Sequence, residues 1–186
     1  MQEKAKKILV FQSDFGLVDG AVAAMYGVAL AIDPTLRLYN LTHDITPYNV
    51  FEASYRLFQS VEYWAEGTVF VSVVDPGVGS DRKSVVAKTS AGQYIVTPDN
   101  GTLTHIKRFI GIDAVREIDE TRHRRKDTQH SYTFHGRDVY ANTGAKLAAG
   151  VITFEEIGPE LPVEGLLELP TGTVETAEDC VSGCVD

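Results

Sequence analysis

The sequence predicts an α/β domain, a central, largely parallel sheet with helices layered on its faces, and three observations carry that expectation. Short β-branched apolar runs alternate with segments whose apolar residues recur at helical spacing. Three of those runs end in acidic, turn-forming segments, FQSDFG, THDITP and VVDPGVG, as expected where an open α/β sheet gathers ligand-binding loops outside the carboxyl ends of its strands. The chain has 186 residues and is 44% hydrophobic, enough to bury a real core in one domain.

Taken in order, Ile8–Gln12 reads as a strand and Gly20–Ile32 (GAVAAMYGVALAI) as an apolar helix closed by Asp33-Pro34, because proline cannot continue it. Leu36–Leu41 is a second strand. Thr46-Pro47 reads as a helix start leading into Val50–Trp64, where Phe51, Tyr55 and Phe58 recur at helical spacing. Thr68–Val74 is a third, strongly β-branched strand, and Ser84–Thr89 with Gln93–Thr97 form a hairpin about Ala91-Gly92. A short helix near Leu103–Phe109, a strand near Ala114–Ile118 and a polar loop to Tyr132 follow. Gly136–Ala149 is the last helix, with Gly150 as its C-terminal cap. Residues 1–155 are expected to form the α/β domain, and 156–186, punctuated by GPELP and PTG, a linker that opens a further region.

Lys and Arg total 17 against 26 Asp and Glu, a net charge of −9, which argues against a nucleic-acid or anionic-membrane surface and favours a small or cationic ligand. Only Ile8–Phe11 is continuously apolar near the start, too short for a signal or spanning segment, so a cytoplasmic protein is expected. Cys180 and Cys184 stand without further zinc-type ligands and read as two free thiols.

Chemistry is expected at the strand ends. Asp14 is placed to accept two hydrogen bonds from vicinal hydroxyls such as those of a ribose, although Asp14 or Asp19 also fits a helix cap; Asp19 alternatively suits a ligand ammonium. In VVDPGVGSDRK the glycine-rich turn allows Arg82 to fold back on Asp75, holding the carboxylate ionised and disfavouring charge on a histidine nearby, so that both accept protons from water. A surface ion pair fits the same spacing. His135 in FHGRD, just before the last helix, reads as a catalytic base or as a helix cap, and Arg137 and Asp138 as a mutual pair. His43 reads as a hydrogen-bonded structural residue, Tyr48 as a stacking ring or as packing, and Arg122–Lys126 as a solvated basic loop. Asp14, Asp44, Asp75 and Asp99 would also suit magnesium-dependent phosphoester hydrolysis, but no phosphate-cradling loop ending in Lys-Ser or Lys-Thr is present. A third reading is a nucleoside-binding or assembly domain without turnover.

The ordered motifs QSDFG, THDITPYNV, VVDPGVGSDR, TPDNG and TFHGRD, over roughly residues 7 to 165, resemble the S-adenosylmethionine hydroxide adenosyltransferase family, relatives of the fluorinating and chlorinating adenosyltransferases. The resemblance implies hydrolysis of S-adenosyl-L-methionine to adenosine and methionine, with no cofactor and no metal. It assigns Asp75, Arg82 and His135 to water activation. It assigns Asp14 to the ribose hydroxyls, Asp19 to the methionine amino group and Tyr48 to packing by the nucleoside; Phe134 and Gly136 complete the substrate-binding set. In the halide-using relatives the positions of Asp75 and His135 are aromatic and that of Gly136 carries a hydroxyl, so this chain has the hydrolytic version. The resemblance further implies a homotrimer with sites between subunits and a C-terminal β domain absent or only begun here.

Overall fold

The computed structural model describes residues 7–128, 133–172 and 174–183; the end of the expected polar loop and Cys184 lie outside them. Its centre is a seven-stranded sheet in the order β2-β1-β3-β5-β4-β6-β7. The strands are β1 (Ile8–Ser13), β2 (Arg37–Thr42), β3 (Val69–Val73), β4 (Ser84–Thr89), β5 (Tyr94–Pro98), β6 (Ile112–Glu117) and β7 (Glu160–Leu161). β2, β1, β3 and β5 run parallel, whereas β4 is antiparallel to both β5 and β6, and β7 to β6. β1, β2, β3, β5 and β6 therefore point one way and only β4 and β7 the other, so the carboxyl ends of the first four collect at one edge.

Side chains alternate between the two faces of a strand, and β1 shows what that does. Leu9 and Phe11 join Val69, Val71 and Val73 of β3 in a core under α1 (Ala21–Ile32) and α4 (Asn142–Ala149). Val10 and Phe70 face the opposite way, with Leu57 of α2 (Val50–Ser60), Ile95 and Ile106. Both faces are covered, which is why these strands read as continuous apolar runs.

The predicted strands and the hairpin are present within one or two residues of their expected ends. Three local expectations are corrected. α2 begins at Val50, not at Thr46-Pro47, because Asn49 is its N-cap, the Asn49 side chain accepting the Glu52 amide at 3.0 Å, while the Glu52 carboxylate reaches past it to the Thr46 amide at 3.0 Å. It ends at Ser60 and passes into a tighter turn, Val61–Tyr63, before Trp64. The last helix is continuous, but its opening turns Gly136–Ala141 are π-wound and only Asn142–Ala149 is α-helical, with Gly150 left-handed at φ 71° as its cap.

The stretch from 156 onward, expected as a linker, packs on the domain. Glu160–Leu161 extend the sheet as β7, Leu166 is buried, the Leu167 amide donates to Asp99 at 3.0 Å, and the Leu169 amide to Thr104 Oγ1 at 2.9 Å. Beyond it, β8 (Val174–Ala177) and β9 (Cys180–Gly183) form a separate hairpin.

α4 can lie this close to the sheet only because of Gly144. A Cβ there would sit 2.5 Å from Val71 Cγ2 and 3.4 Å from Leu9 Cδ1. Alanine normally favours a helix, yet here the added methyl must push α4 off β3, an overpacking cost of about 1–3 kcal/mol. Gly144→Ala is expected to lower the unfolding free energy from urea titration by about 1–3 kcal/mol, and an unchanged or raised value would contradict the packing described.

Candidate active site

β1 delivers Asp14 to the carboxyl edge, and the loop that carries it is set by buried polar contacts. Ser13 Oγ lies 2.7 Å from His43 Nδ1, His43 Nε2 lies 3.0 Å from Asn40 Oδ1, and Tyr26 Oη also donates to Asn40 Oδ1. An amide oxygen only accepts, so Nε2 carries the ring proton and Nδ1 receives the Ser13 hydroxyl. Ser13 Oγ in turn accepts the Phe15 amide at 3.3 Å, and the Gly16 amide donates to His43 carbonyl oxygen at 2.8 Å. His43 is thus the structural residue expected, and burial lowers its pKa below the ordinary 6.5.

Asp14 does not cap α1. Its Oδ2 accepts the amide of Tyr48 at 2.8 Å, tying the β1 loop to the β2 loop and holding Tyr48, a residue 71% exposed, at φ 65°. That left-handed conformation is uncommon outside glycine; here a tertiary hydrogen bond fixes it. Gly20 is the N-cap of α1, and Asp19 just before it accepts the amide of Ala21, the first residue of the helix, on Oδ1 at 2.8 Å.

After β3 the chain turns sharply, with the Val78 amide on Asp75 carbonyl at 3.2 Å and the Ser80 hydroxyl on Gly77 carbonyl at 2.7 Å. This turn returns Arg82 to Asp75. Arg82 Nε donates to Asp75 Oδ1 at 2.6 Å and Nη2 to Oδ2, a two-pronged pair whose side chains are only 8% and 6% exposed. It is a buried pair, not a surface one. Burial works against the Arg82 charge, but Asp75 and the neighbouring Tyr140 and Glu120 raise its pKa above the ordinary value.

Arg82 also starts a longer network. Its Nη1 donates to Ser84 Oγ at 3.2 Å, and Ser84 Oγ donates to Glu120 Oε1 at 2.9 Å and lies 3.2 Å from Tyr140 Oη. Glu120 Oε2 accepts Arg124 Nη2 at 2.7 Å, and that same Nη2 lies 3.1 Å from His135 Nε2. Burial would raise the Glu120 pKa, but the His135 ring, Arg124 and Ser84 together hold it down to about 2. Tyr140, fully buried, has its phenol pKa pushed up by that burial.

Asp14, Phe15, Tyr48, Asp75, Val78 and Gly136 line a cleft of about 250 Å³ at the strand ends. Gly136 lies under Phe15 and Val73: a Cβ there would come within 3.1 Å of both side chains. Of the residues expected from sequence, Asp14, Tyr48, Asp75 and Gly136 therefore meet in one cleft. Arg82 supports it from behind through Asp75. His135 is buried, with its Nε2 edge turned to Glu120 and Arg124, at 3.4 Å from Glu120 Oε2. Phe134 is 54% exposed, with the Arg137 guanidinium 4.9 Å over its ring, and Arg137 pairs with Asp138 as expected. Asp99 holds the Leu167 amide instead of facing the cleft partners, and no three such groups converge as a metal-holding cluster among the described residues.

The basic stretch 122–126 is not simply a solvated loop. Glu120–His123 form a short helix, α3, the Arg124 side chain is 8% exposed, and His123 is buried with Nε2 2.8 Å from Glu156 carbonyl. Ser84, Glu120, Arg124 and Tyr140 were not singled out from sequence. The four-residue spacing of Glu120 and Arg124 was the available signal, since it places an acid and a base on one helical face.

These features define an α/β domain with a ligand cleft at the carboxyl edge of its sheet, carrying a carboxylate suited to hydroxyls beside a buried, ion-paired one. The sequence model of the SAM hydroxide adenosyltransferase N-terminal domain matches residues 9–158, and the chain belongs to that family. It is 38% identical over 151 residues to an (R)-S-adenosyl-L-methionine hydrolase of Methanocaldococcus jannaschii, covering 79% of this chain and 55% of that protein. The corresponding figures for a Salinispora arenicola protein of the same name are 39% over 170 residues, 91% and 63%. A conserved Thermotoga maritima protein of known crystal structure superposes with a TM-score of 0.83 at 36% identity, covering 90% of this chain and 63% of its own. The chain thus spans a little over half of the curated relatives' length.

The buried histidines couple folding to pH. His43 and His123 both have folded pKa values lowered by burial from the ordinary 6.5, so the unfolded chain binds their protons first on acidification. Their contribution is fully present above 6.5 and is lost as pH falls below it. Glu120, lowered from 4.5 to about 2, contributes above 4.5 and loses that contribution as pH falls through about 2. The urea midpoint is expected to fall steadily from about pH 7 to about pH 5, with part of the slope removed in His43→Gln. A midpoint flat or rising over that range would contradict the neutral, buried histidines.

Proposed function

We propose that the protein hydrolyses S-adenosyl-L-methionine to adenosine and L-methionine, water attacking the 5′ carbon of the ribose in line with the departing sulfur. The observation that carries this reading is the placement of Asp14 and Asp75 on one cleft, with Asp75 locked by a buried Arg82. The hydrolase names of the relatives support it.

The chemistry asks little of the protein beyond positioning. A C–O bond forms and the C–S bond breaks, its electron pair neutralises the sulfonium, and methionine leaves as a thioether that needs no general acid. What remains is to orient and desolvate a water and take its proton, a matter of proximity and general-base catalysis. Asp75 is the carboxylate for this step. Arg82 occupies one lone pair on each Asp75 oxygen and fixes the plane of the group, leaving further lone pairs for a water. Asp14, already oriented by the Tyr48 amide, accepts the ribose hydroxyls, and the exposed Tyr48 ring covers the nucleoside. His135 completes the Asp75-Arg82-His135 set, Asp19 faces the methionine amino group, and Phe134 and Gly136 border the sugar.

The same proposal includes a catalytic domain of residues 1–155, a following segment 156–186 that opens a further region, and a homotrimer in the cytoplasm working without metal or cofactor. No helix among the described residues is long and apolar enough to cross a membrane.

Incubation with S-adenosylmethionine in a chelator, both sulfonium epimers supplied, is expected to yield adenosine and methionine in equal amounts by chromatography. Asp75→Asn is expected to abolish turnover, whereas Asp14→Ala raises KM roughly 10- to 100-fold, the loss of one or two charge-assisted hydrogen bonds. Turnover that survives Asp75→Asn, or that requires a divalent cation, would overturn the reading.

A further inference from the structure

The motif TPDNG contributes no lining residue to the cleft among the described residues, yet it lies against both ends of the turn that carries Asp75 and Val78. β3 pairs with β1 as far as Val73 and with β5 only as far as Val71, so Val74 and Asp75 stand beyond both ladders. Val74 is fully buried, and a carbonyl buried without a partner is costly. The Asn100 side chain supplies that partner, its Nδ2 donating to Val74 carbonyl at 2.9 Å. Both ends of the amide agree on its orientation. A carbonyl only accepts, so nitrogen faces Val74, and the Thr102 amide, which only donates, reaches Oδ1 at 3.3 Å beside the Thr102 hydroxyl at 2.8 Å. Reversing the group would set acceptor against acceptor at one end and donor against donor at the other.

The residue before Asn100 holds the other end of the turn. The Asp99 amide donates to Lys83 carbonyl at 2.9 Å, carrying the β4–β5 pairing one residue past Pro98, which has no N–H. Val74 directly precedes Asp75, and Lys83 directly follows Arg82. Two successive residues therefore grip the backbone on each side of the buried ion pair. They are themselves held from outside. Asp99 Oδ1 accepts the Leu167 amide at 3.0 Å, and Gly101 carbonyl accepts the Thr104 amide at 3.0 Å. Gly101 takes φ 102°, a value that favours glycine, and a Cβ there would stand 2.5 Å from Leu169 Cγ.

We infer that Asn100 is a positioning residue: acting through Val74 carbonyl, and together with the Asp99 amide on Lys83, it fixes where the Asp75 carboxylate stands at the wall of the cleft. This role rests on the hydrolase reading, in which Asp75 takes the proton from the attacking water. Asp14 sits on a different loop, held by Tyr48 and by the Ser13-His43 contact. Loosening the clamp therefore misplaces the group that does the chemistry and spares the one that binds the sugar, so the loss falls on kcat and not on KM.

The test replaces Asn100 by aspartate, which keeps the shape and the contacts from Thr102 but turns an oxygen toward Val74 carbonyl. Asn100→Asp is expected to lower kcat about 10- to 100-fold with KM held within about twofold. Thr102→Val removes one of the two bonds that orient the amide and keeps the other; its kcat is expected to fall about two- to fivefold, and it serves where the aspartate variant is too unstable to assay. Independently of turnover, the Arg82 Nε–H, which donates to Asp75 at 2.6 Å, is followed in proton–nitrogen spectra of the labelled protein, assigned through Arg82→Lys. Its exchange with water is expected to be about tenfold or more faster in Asn100→Asp than in wild type, and to move in the same direction in Thr102→Val. Wild-type kcat in both variants, a change confined to KM, or an unaltered Arg82 Nε–H exchange rate would overturn the inference. A wild-type protein without turnover would sink the hydrolase reading alone, because the exchange rates decide the clamp by themselves.

Discussion

The site depends on one buried ion pair. Asp75 and Arg82 are seven residues apart in sequence, and the turn between them brings them together where both side chains are almost wholly buried, with Asp75 at the wall of the cleft. Taking two charges out of solvent is costly, and a buried pair often adds little net stability over apolar packing; removing one partner, however, leaves a stranded charge worth several kcal/mol of destabilisation. The pair is therefore better understood as a device that fixes a carboxylate in one orientation at the end of β3. Its second hydrogen-bonding edge reaches Ser84 at the start of β4, and from there Glu120 and Arg124. A carboxylate fixed on the cleft side is thus supported from the antiparallel half of the sheet.

The mixed direction of the strands has a functional consequence. The parallel half, β2-β1-β3-β5, gathers the loops that bear Asp14, Tyr48 and Asp75. The antiparallel half returns the chain through β4 and β6, whose pairing, with Ile118 amide on Ser84 carbonyl at 2.8 Å, sets α3 beside Arg82. One half of the sheet presents groups to a ligand; the other immobilises them. The two loops of the parallel half are themselves tied by Asp14 and by the Ser13-His43-Asn40 contacts, so little of the cleft is left to be organised when a ligand arrives.

The strands and the hairpin were legible in the sequence because a doubly covered strand must be apolar and β-branched throughout, and the rim carboxylates because they follow such runs directly. What was not legible depends on tertiary contacts. The start of α2 follows from the Asn49 side chain capping the Glu52 amide and from a Tyr48 backbone held left-handed by Asp14, a residue 34 positions away. The segment after Gly158 carries the Pro and Gly of a linker yet pairs with β6, since Leu161 and Leu166 find an apolar surface that the sequence alone does not display. Arg124 sits in a run of basic residues and looked solvated; only the β4–β6 register shows that Glu120 and His135 await it. The glycine-rich turn suggested the pairing of Asp75 with Arg82 and the family resemblance gave that pair a role, but neither pointed to the Ser84-Glu120-Arg124 path behind it.

The central claim, that this cleft directs a water to the ribose 5′ carbon, is tested most directly by running the reaction in heavy-oxygen water and locating the label by mass spectrometry. Label in the 5′ hydroxyl of adenosine, with methionine unlabelled, is the predicted result. Unlabelled adenosine, or cleavage at any other bond of the substrate, would contradict it.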